Sequence, residues 1–398
     1  NPEQMERDNL LTGAYFTQME RGIFVVGKDK GGLFEETQML TGDIFASYCA
    51  PIKTWNYAGE QDNDCYKLYP QWYNSPFSTA YTEVMQPWRK VVDCTSGTSP
   101  ARAMATIVKV FGMSRITDKY GPIPYSKVGA ANAICNSRTS EPYLEDYDYI
   151  YNGNVGNWIK FANTLRLRLA MRISYVDQTK AETEAKAAID HSIGLKTSVS
   201  DNAVLKQSVS FSFINEWWEA YESFNDFRMS ATMDCYLKGL QDPRLAAYFK
   251  VAKKDGEYHG VRNGQTSRSQ GTLSEAASSM NVGQASSILW MDAAETYFLL
   301  AEAKLRLNLG DKTVKEYYEE GVKTSFSSKG ASGAESYLDN DVNVPSISFI
   351  DPTNGRNTDV SRMVSNLTVK WDESVSDDKK LERIMVQKWI ALFPDGQE

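Results

Sequence analysis

Rings and amides cluster in two stretches of this 398-residue sequence. One holds Trp55-Asn56-Tyr57 and Gln71-Trp72-Tyr73-Asn74, and the other holds Asn215-Glu216-Trp217-Trp218 with Tyr221. A flat ring beside amide and carboxylate groups suits a sugar, whose C–H faces pack on the ring while its hydroxyls pair with polar neighbours. The competing role for any one ring is to pack a loop onto the body of the fold. In extended chain Trp55 and Tyr57 face the same side, whereas the adjacent Trp72 and Tyr73 face opposite sides, Trp72 being expected outward. The candidate ligand set is therefore Trp55, Tyr57, Trp72 and Tyr73, joined by Trp217 or Trp218 from a distant loop.

Other chemistries find little support. Only two histidines occur, His191 and His259. His191 ends an Ala/Glu/Lys-rich helical stretch, and His259 lies in a Gly-rich segment. The sequence has no GxGxxG after a strand, no GxxxxGK[ST], no GxSxG and no HExxH. Glu216 with Glu219, or Asp62 with Asp64, could form the carboxylate pair of a glycoside hydrolase. With 51 acidic residues some must fall beside aromatics, so solvated or structural acids are the expectation. Asp62-Asn63-Asp64 could touch calcium but lacks the glycine and distal glutamate of an EF-hand loop. No catalytic residue, cofactor or metal site is expected, a structural calcium being unsupported. The net charge of −8 makes nucleic acid a poor partner. Five cysteines form no CxxC pair.

Such rings need a scaffold. Hydrophobic residues at 42% and charged residues at 24% suit a folded chain, and no apolar run reaches the roughly 20 residues that span a bilayer. Helical spacing runs through residues 1–20, 77–93, 100–119, 157–176 and 381–393. Pro100 suits a helix start, and Tyr120-Gly121-Pro122-Ile123-Pro124 is a hard stop. Residues 291–309 and 314–326 read as a helix pair about as long as a tetratricopeptide unit, with Ala294, Phe298, Ala301 and Leu305 facing Val314, Tyr317, Tyr318 and Val322. In 157–176, Trp158, Phe161, Ala162, Leu165, Leu169 and Ile173 form one face, with Arg166, Arg168 and Arg172 giving basic character. Ser208–Phe213 alternates as a strand would. Asp242-Pro243-Arg244 has the order of a helix start, while 22–76 and 256–283 are rich in glycine and read as loops.

Six stretches carry a resemblance. They are Asn1-Pro2, Lys119–Pro124, Asn157–Arg172, Leu240–Leu245, Ala294–Ala303 and Gln387–Leu392. In that order they resemble the SusD/RagB family, surface lipoproteins of Bacteroidota that capture glycans. The resemblance covers most of the chain but rests on scaffold segments. It implies a mostly α fold, one SusD-like domain over 1–398, with tetratricopeptide-like helix pairs in a superhelical scaffold, long decorating loops and few short strands. The scaffold helices would lie near 1–20, 77–119, 157–176, 291–326 and 381–393. The loop-rich ligand face would lie near 22–76 and 205–290.

By the same resemblance the protein is not an enzyme. It would bind oligosaccharide at the outer membrane, held there only by an N-terminal lipid anchor and facing the surface, and deliver its ligand to a SusC-like TonB-dependent transporter. Three departures stand out. The lipidated cysteine would precede Asn1, Ser126–Gly156 is short for the helix the family places there, and the family continues past Glu398. The expectation is a processed chain with residues omitted inside and at the end. Two other functions fit the same composition: an all-α glycoside hydrolase, and a tetratricopeptide-like adaptor that binds peptide in its groove.

Overall fold

A computed structural model describes residues 2–27, 29–55, 63–67, 69–123, 143–265 and 268–398, with the side chains of 2–9 and 71 left aside. The described residues are mostly helical, with three two-stranded antiparallel sheets of three- or four-residue strands. The chain packs as two compact units. The first comprises residues 1–28, 74–213 and 287–312; the second comprises 29–73, 214–286 and 313–398.

In the first unit the long helices are Pro2–Ile23, Pro100–Tyr120, Val155–Ile173, Gln178–Ile189 and Ala293–Leu307. Their ends follow local chemistry. Pro100 opens its helix at the first position, where a missing N–H costs nothing. Gly121, at φ 74°, closes it. The Asn154 side chain accepts from the Asn157 N–H at 2.9 Å, and the Asp292 side chain from the Ala294 N–H at 3.0 Å. Val155–Ile173 packs against Gln178–Ile189 across a four-residue turn, a helix hairpin of tetratricopeptide type.

A run of rings fills this unit. Phe16 meets Trp158 edge-on at 5.8 Å, Trp158 meets Phe161 at 5.6 Å, Phe161 meets Phe111 at 5.3 Å, and Phe111 stacks on Trp290 at 5.5 Å. The basic face expected on the 157–176 helix is interrupted by burial. Arg168 is buried and forks onto Glu295, 2.7 Å from Nε and 2.5 Å from Nη2. Ala162, Leu169 and Ile173, placed on the buried face by spacing, are only half-buried, whereas Ile159, Thr164 and Leu167, outside that face, are buried.

The second unit is built on the helices Val314–Lys329 and Asp377–Leu392, with the shorter Ala231–Gly239, Arg244–Tyr248 and Ala334–Leu338. A capping box starts Val314–Lys329: Thr313 Oγ1 accepts from the Glu316 N–H at 3.2 Å and Glu316 Oε2 from the Thr313 N–H at 2.7 Å. Ala293–Leu307 packs on Val155–Ile173 in the first unit, and Val314–Lys329 packs on Ala334–Leu338 and Asp377–Leu392 in the second.

Three local expectations are corrected. Ser208–Phe211 is a closed turn, with each backbone N–H bonded to the other's carbonyl. No strand pairs with it among the described residues; instead Phe211 stacks on Tyr149 at 3.9 Å under the Arg21 guanidinium. The 22–76 segment contains a π-helix, Glu35–Asp43, and the start of an α-helix, Pro70–Ala80. Trp72 and Tyr73 thus sit on helix rather than extended loop, and Pro76 lies inside it.

Candidate functional site

The π-helix Glu35–Asp43 leads into Phe45, whose ring is 39% exposed. A 3₁₀ turn at Asn63–Cys65 leads into Tyr66, which is 78% exposed. The two rings stack at 5.1 Å with 21° between planes. Tyr66 reaches this position through φ 60°, in the left-handed region that a side chain adopts only under constraint. Its N–H is bonded to the Asn63 carbonyl at 2.9 Å, and Asn63 Nδ2 donates to the Leu40 carbonyl at 2.9 Å. One open ring face on a fixed turn is the geometry that can receive a flat C–H surface.

The sequence-derived residues distribute as follows. Trp55 and Trp72 come together edge-to-face at 5.8 Å, and each is 8% exposed. Tyr69 continues the row at 5.3 Å from Trp72, and Phe227 closes it behind Trp55 at 5.8 Å. Trp217 is 3% exposed, with its Nε1–H on Asp43 Oδ2 at 3.0 Å and its ring edge-on to Phe34 at 4.9 Å. Trp218 and Tyr73 are half-buried. Tyr57 lies outside the described residues. Of the carboxylates weighed for catalysis or calcium, Glu216 is fully buried and Asp64 is held by the Arg268 guanidinium at 2.6 Å; Asp62 lies outside the described residues.

Two buried acid groups sit under this surface. Asp226 takes the Lys53 ammonium at 2.5 Å and also accepts from Trp55. Burial nonetheless raises its pKa, and burial with the Asp226 charge beside it pushes Glu35 well above the usual carboxylate range. The second group joins chain positions far apart. Gln38 Nε2 donates to Asp43 Oδ1 at 2.7 Å and to Asp395 Oδ1 at 2.9 Å, and the Gly396 N–H reaches Asp43 Oδ1 at 2.9 Å. Burial, with Asp395 adding to it, pushes Asp43 up to about 7.

An aspartate with a folded pKa raised above its unfolded one binds more protons when folded. Its contribution is complete at low pH and is lost as pH rises from about 4 to about 7. Urea unfolding between pH 4 and 8 should therefore show stability falling across that window, and Asp43→Asn should flatten the slope. An unchanged slope in the variant would assign the titration elsewhere.

Phe45 and Tyr66 were not among the ligand residues drawn from sequence. Nothing in the neighbours of Tyr66 signals a left-handed turn. The pairing of Asp43 with Asp395 had no sequence signal.

A model of the SusD-like family, "Susd and RagB outer membrane lipoprotein", matches residues 1–137 and 130–398. The chain belongs to the SusD-like family. Solved members of similar fold include a chitin-binding SusD homolog from Flavobacterium johnsoniae, 33% identical with a TM-score of 0.90, covering 97% of this chain and 84% of that one. A SusD homolog from Bacteroides uniformis is 30% identical with a TM-score of 0.84, again over 97% and 84%. One from Bacteroides thetaiotaomicron is 30% identical with a TM-score of 0.87, over 97% and 83%. Among curated proteins none matches. The helical fold and the family inferred from the six scaffold stretches agree with these results. Among the described residues no helix is long and apolar enough to cross a membrane.

Proposed function

We propose that this SusD-like protein captures oligosaccharide at the cell surface and hands it to a SusC-like TonB-dependent transporter, without covalent chemistry of its own. The observation that carries the reading is the Phe45–Tyr66 stack, an exposed aromatic platform held in place before any ligand arrives. Pre-ordering matters because a weak stacking contact gains affinity only when little freedom is left to lose. Trp218 and Tyr73, both half-buried, are the remaining members of the proposed ligand face. The first probe is chitohexaose, because the 33% identical homolog is described as chitin-binding.

Wild-type protein should bind chitohexaose with a change in tryptophan fluorescence and return it unshortened on chromatography. Tyr66→Ala should weaken binding by about 5- to 150-fold, equivalent to about 1–3 kcal/mol for one stacked ring by analogy with base stacking. Shortened glycan would favour the hydrolase, and unaltered affinity in Tyr66→Ala would remove the platform from the site. Delivery is tested by co-purification of a barrel from native outer membranes, since one lipid chain anchors weakly and docking would supply a second signal.

A further inference from the structure

The Arg268 side chain is fully buried, yet it reaches the chain on either side of the aromatic segment, at Lys53 and at Asp64. Its Nη2 lies 2.7 Å from Asp64 Oδ1 and 2.6 Å from Asp64 Oδ2, and its Nη1 lies 3.5 Å from the Lys53 carbonyl. Both members of the ion pair have fully buried side chains. Asp64 Oδ2 also accepts from the Gly264 N–H at 2.7 Å. Lys53 stands two residues before Trp55, and Asp64 stands two residues before Tyr66. One guanidinium thus ties the Lys53 backbone to the Asp64 side chain. The Asn63 bond to the Leu40 carbonyl ties the Asp64 stretch to the helix that leads to Phe45.

We infer that Arg268 is a positioning residue for the ligand platform: with Asp64 it clamps the Lys53 and Asp64 stretches together and so holds Tyr66 in its left-handed turn against Phe45. The inference rests on the reading of Tyr66 as ligand surface. A planar fork meeting a carboxylate fixes direction as well as distance, which an ammonium would not. A tyrosine at positive φ relaxes unless its surroundings over-determine it. An exposed ring has few packing contacts of its own to do so, and the buried pair two residues away adds its restraint to the Asn63 bonds.

The test separates the clamp from the ligand reading. Removing Arg268 alone would strand a buried carboxylate, so the informative variant is Arg268→Met with Asp64→Leu, which takes both charges away. Arg268→Lys is the companion that keeps the charge and loses the fork. Hydrogen exchange at the amides of residues 63–67 should quicken at least tenfold in the paired variant and by an intermediate factor in Arg268→Lys. Chitohexaose affinity should fall at least fivefold in the paired variant, and adding Tyr66→Ala to it should cost little more, because the clamp acts through that ring.

Unchanged exchange overturns the clamp, whatever glycan binds. Full additivity of the paired variant with Tyr66→Ala overturns the claim that it acts through Tyr66. Wild-type affinity in Tyr66→Ala, with quickened exchange in the paired variant, refutes the ligand reading and leaves the clamp standing.

Discussion

Replacing Arg244 by leucine should cost the protein about 3–5 kcal/mol, the usual effect of removing one member of a buried ion pair. Arg244 and Asp242 both have fully buried side chains. The guanidinium gives Nε to Asp242 Oδ1 at 2.9 Å and Nη2 to Asp242 Oδ2 at 2.6 Å, then reaches Ser325 Oγ at 2.9 Å and Gln387 Oε1 at 2.7 Å. The Tyr337 hydroxyl donates to Asp242 Oδ2 at 2.7 Å and accepts from Gln387 Nε2 at 2.9 Å. Four chain segments therefore meet in one network. Burial alone would lower the pKa of Arg244, but the Asp242 charge outweighs it and the net direction is upward. Leucine would leave the Asp242 carboxylate buried without its cation. Urea unfolding followed by tryptophan fluorescence measures the loss, and Arg244→Leu with Asp242→Leu should recover most of it. A single variant within about 1 kcal/mol of wild type would mean that water reaches the site.

Trp217→Ala should likewise cost about 3–5 kcal/mol, as truncation of a large buried aromatic does. The indole fills space against Phe34 and supplies one of the N–H donors on Asp43. Trp217→Phe keeps most of the volume but withdraws that donor, for a smaller loss of about 1–3 kcal/mol. Because the indole bond lowers the pKa of Asp43, either change should also move the midpoint of the acid-side titration upward. Glycan affinity measured on the folded fraction should stay near wild type. Normal stability with lost binding would instead place this ring against the ligand.

The scaffold was legible because its signals are local. A 3.6-residue apolar period, Pro100 at a helix start and the Tyr120–Pro124 stop each act within one or two turns. What escaped is long-range. Arg168 looks like a surface cation until Glu295, 127 positions on, is placed beside it. Pro76 reads as a breaker, yet the Pro70–Ala80 helix runs through it. At the site the sequence supplied the ring types and the segment but not their exposure. Trp55 and Trp217 turn inward because Asp226 and Asp43 accept their N–H groups. Tyr66 turns outward through a backbone angle and a buried partner 204 positions from Asp64.

Each compact unit is stitched from three separated stretches of chain. That threading has a consequence in time. A chain emerging amino end first has the Pro2–Ile23, Pro100–Tyr120 and Val155–Ile173 helices long before the Ala293–Leu307 helix that completes their unit. The other unit waits longer, since Asp43 meets Gly396 and Thr37 meets Gln397 only when residues 396 and 397 arrive. Early segments such as the one bearing Trp158 must therefore persist with apolar surface uncovered, the condition under which nascent chains aggregate. A stop codon anywhere before the Asp377–Leu392 helix would leave the second unit open, and one before Ala293 would leave both open, so truncation should yield insoluble product rather than a smaller working module.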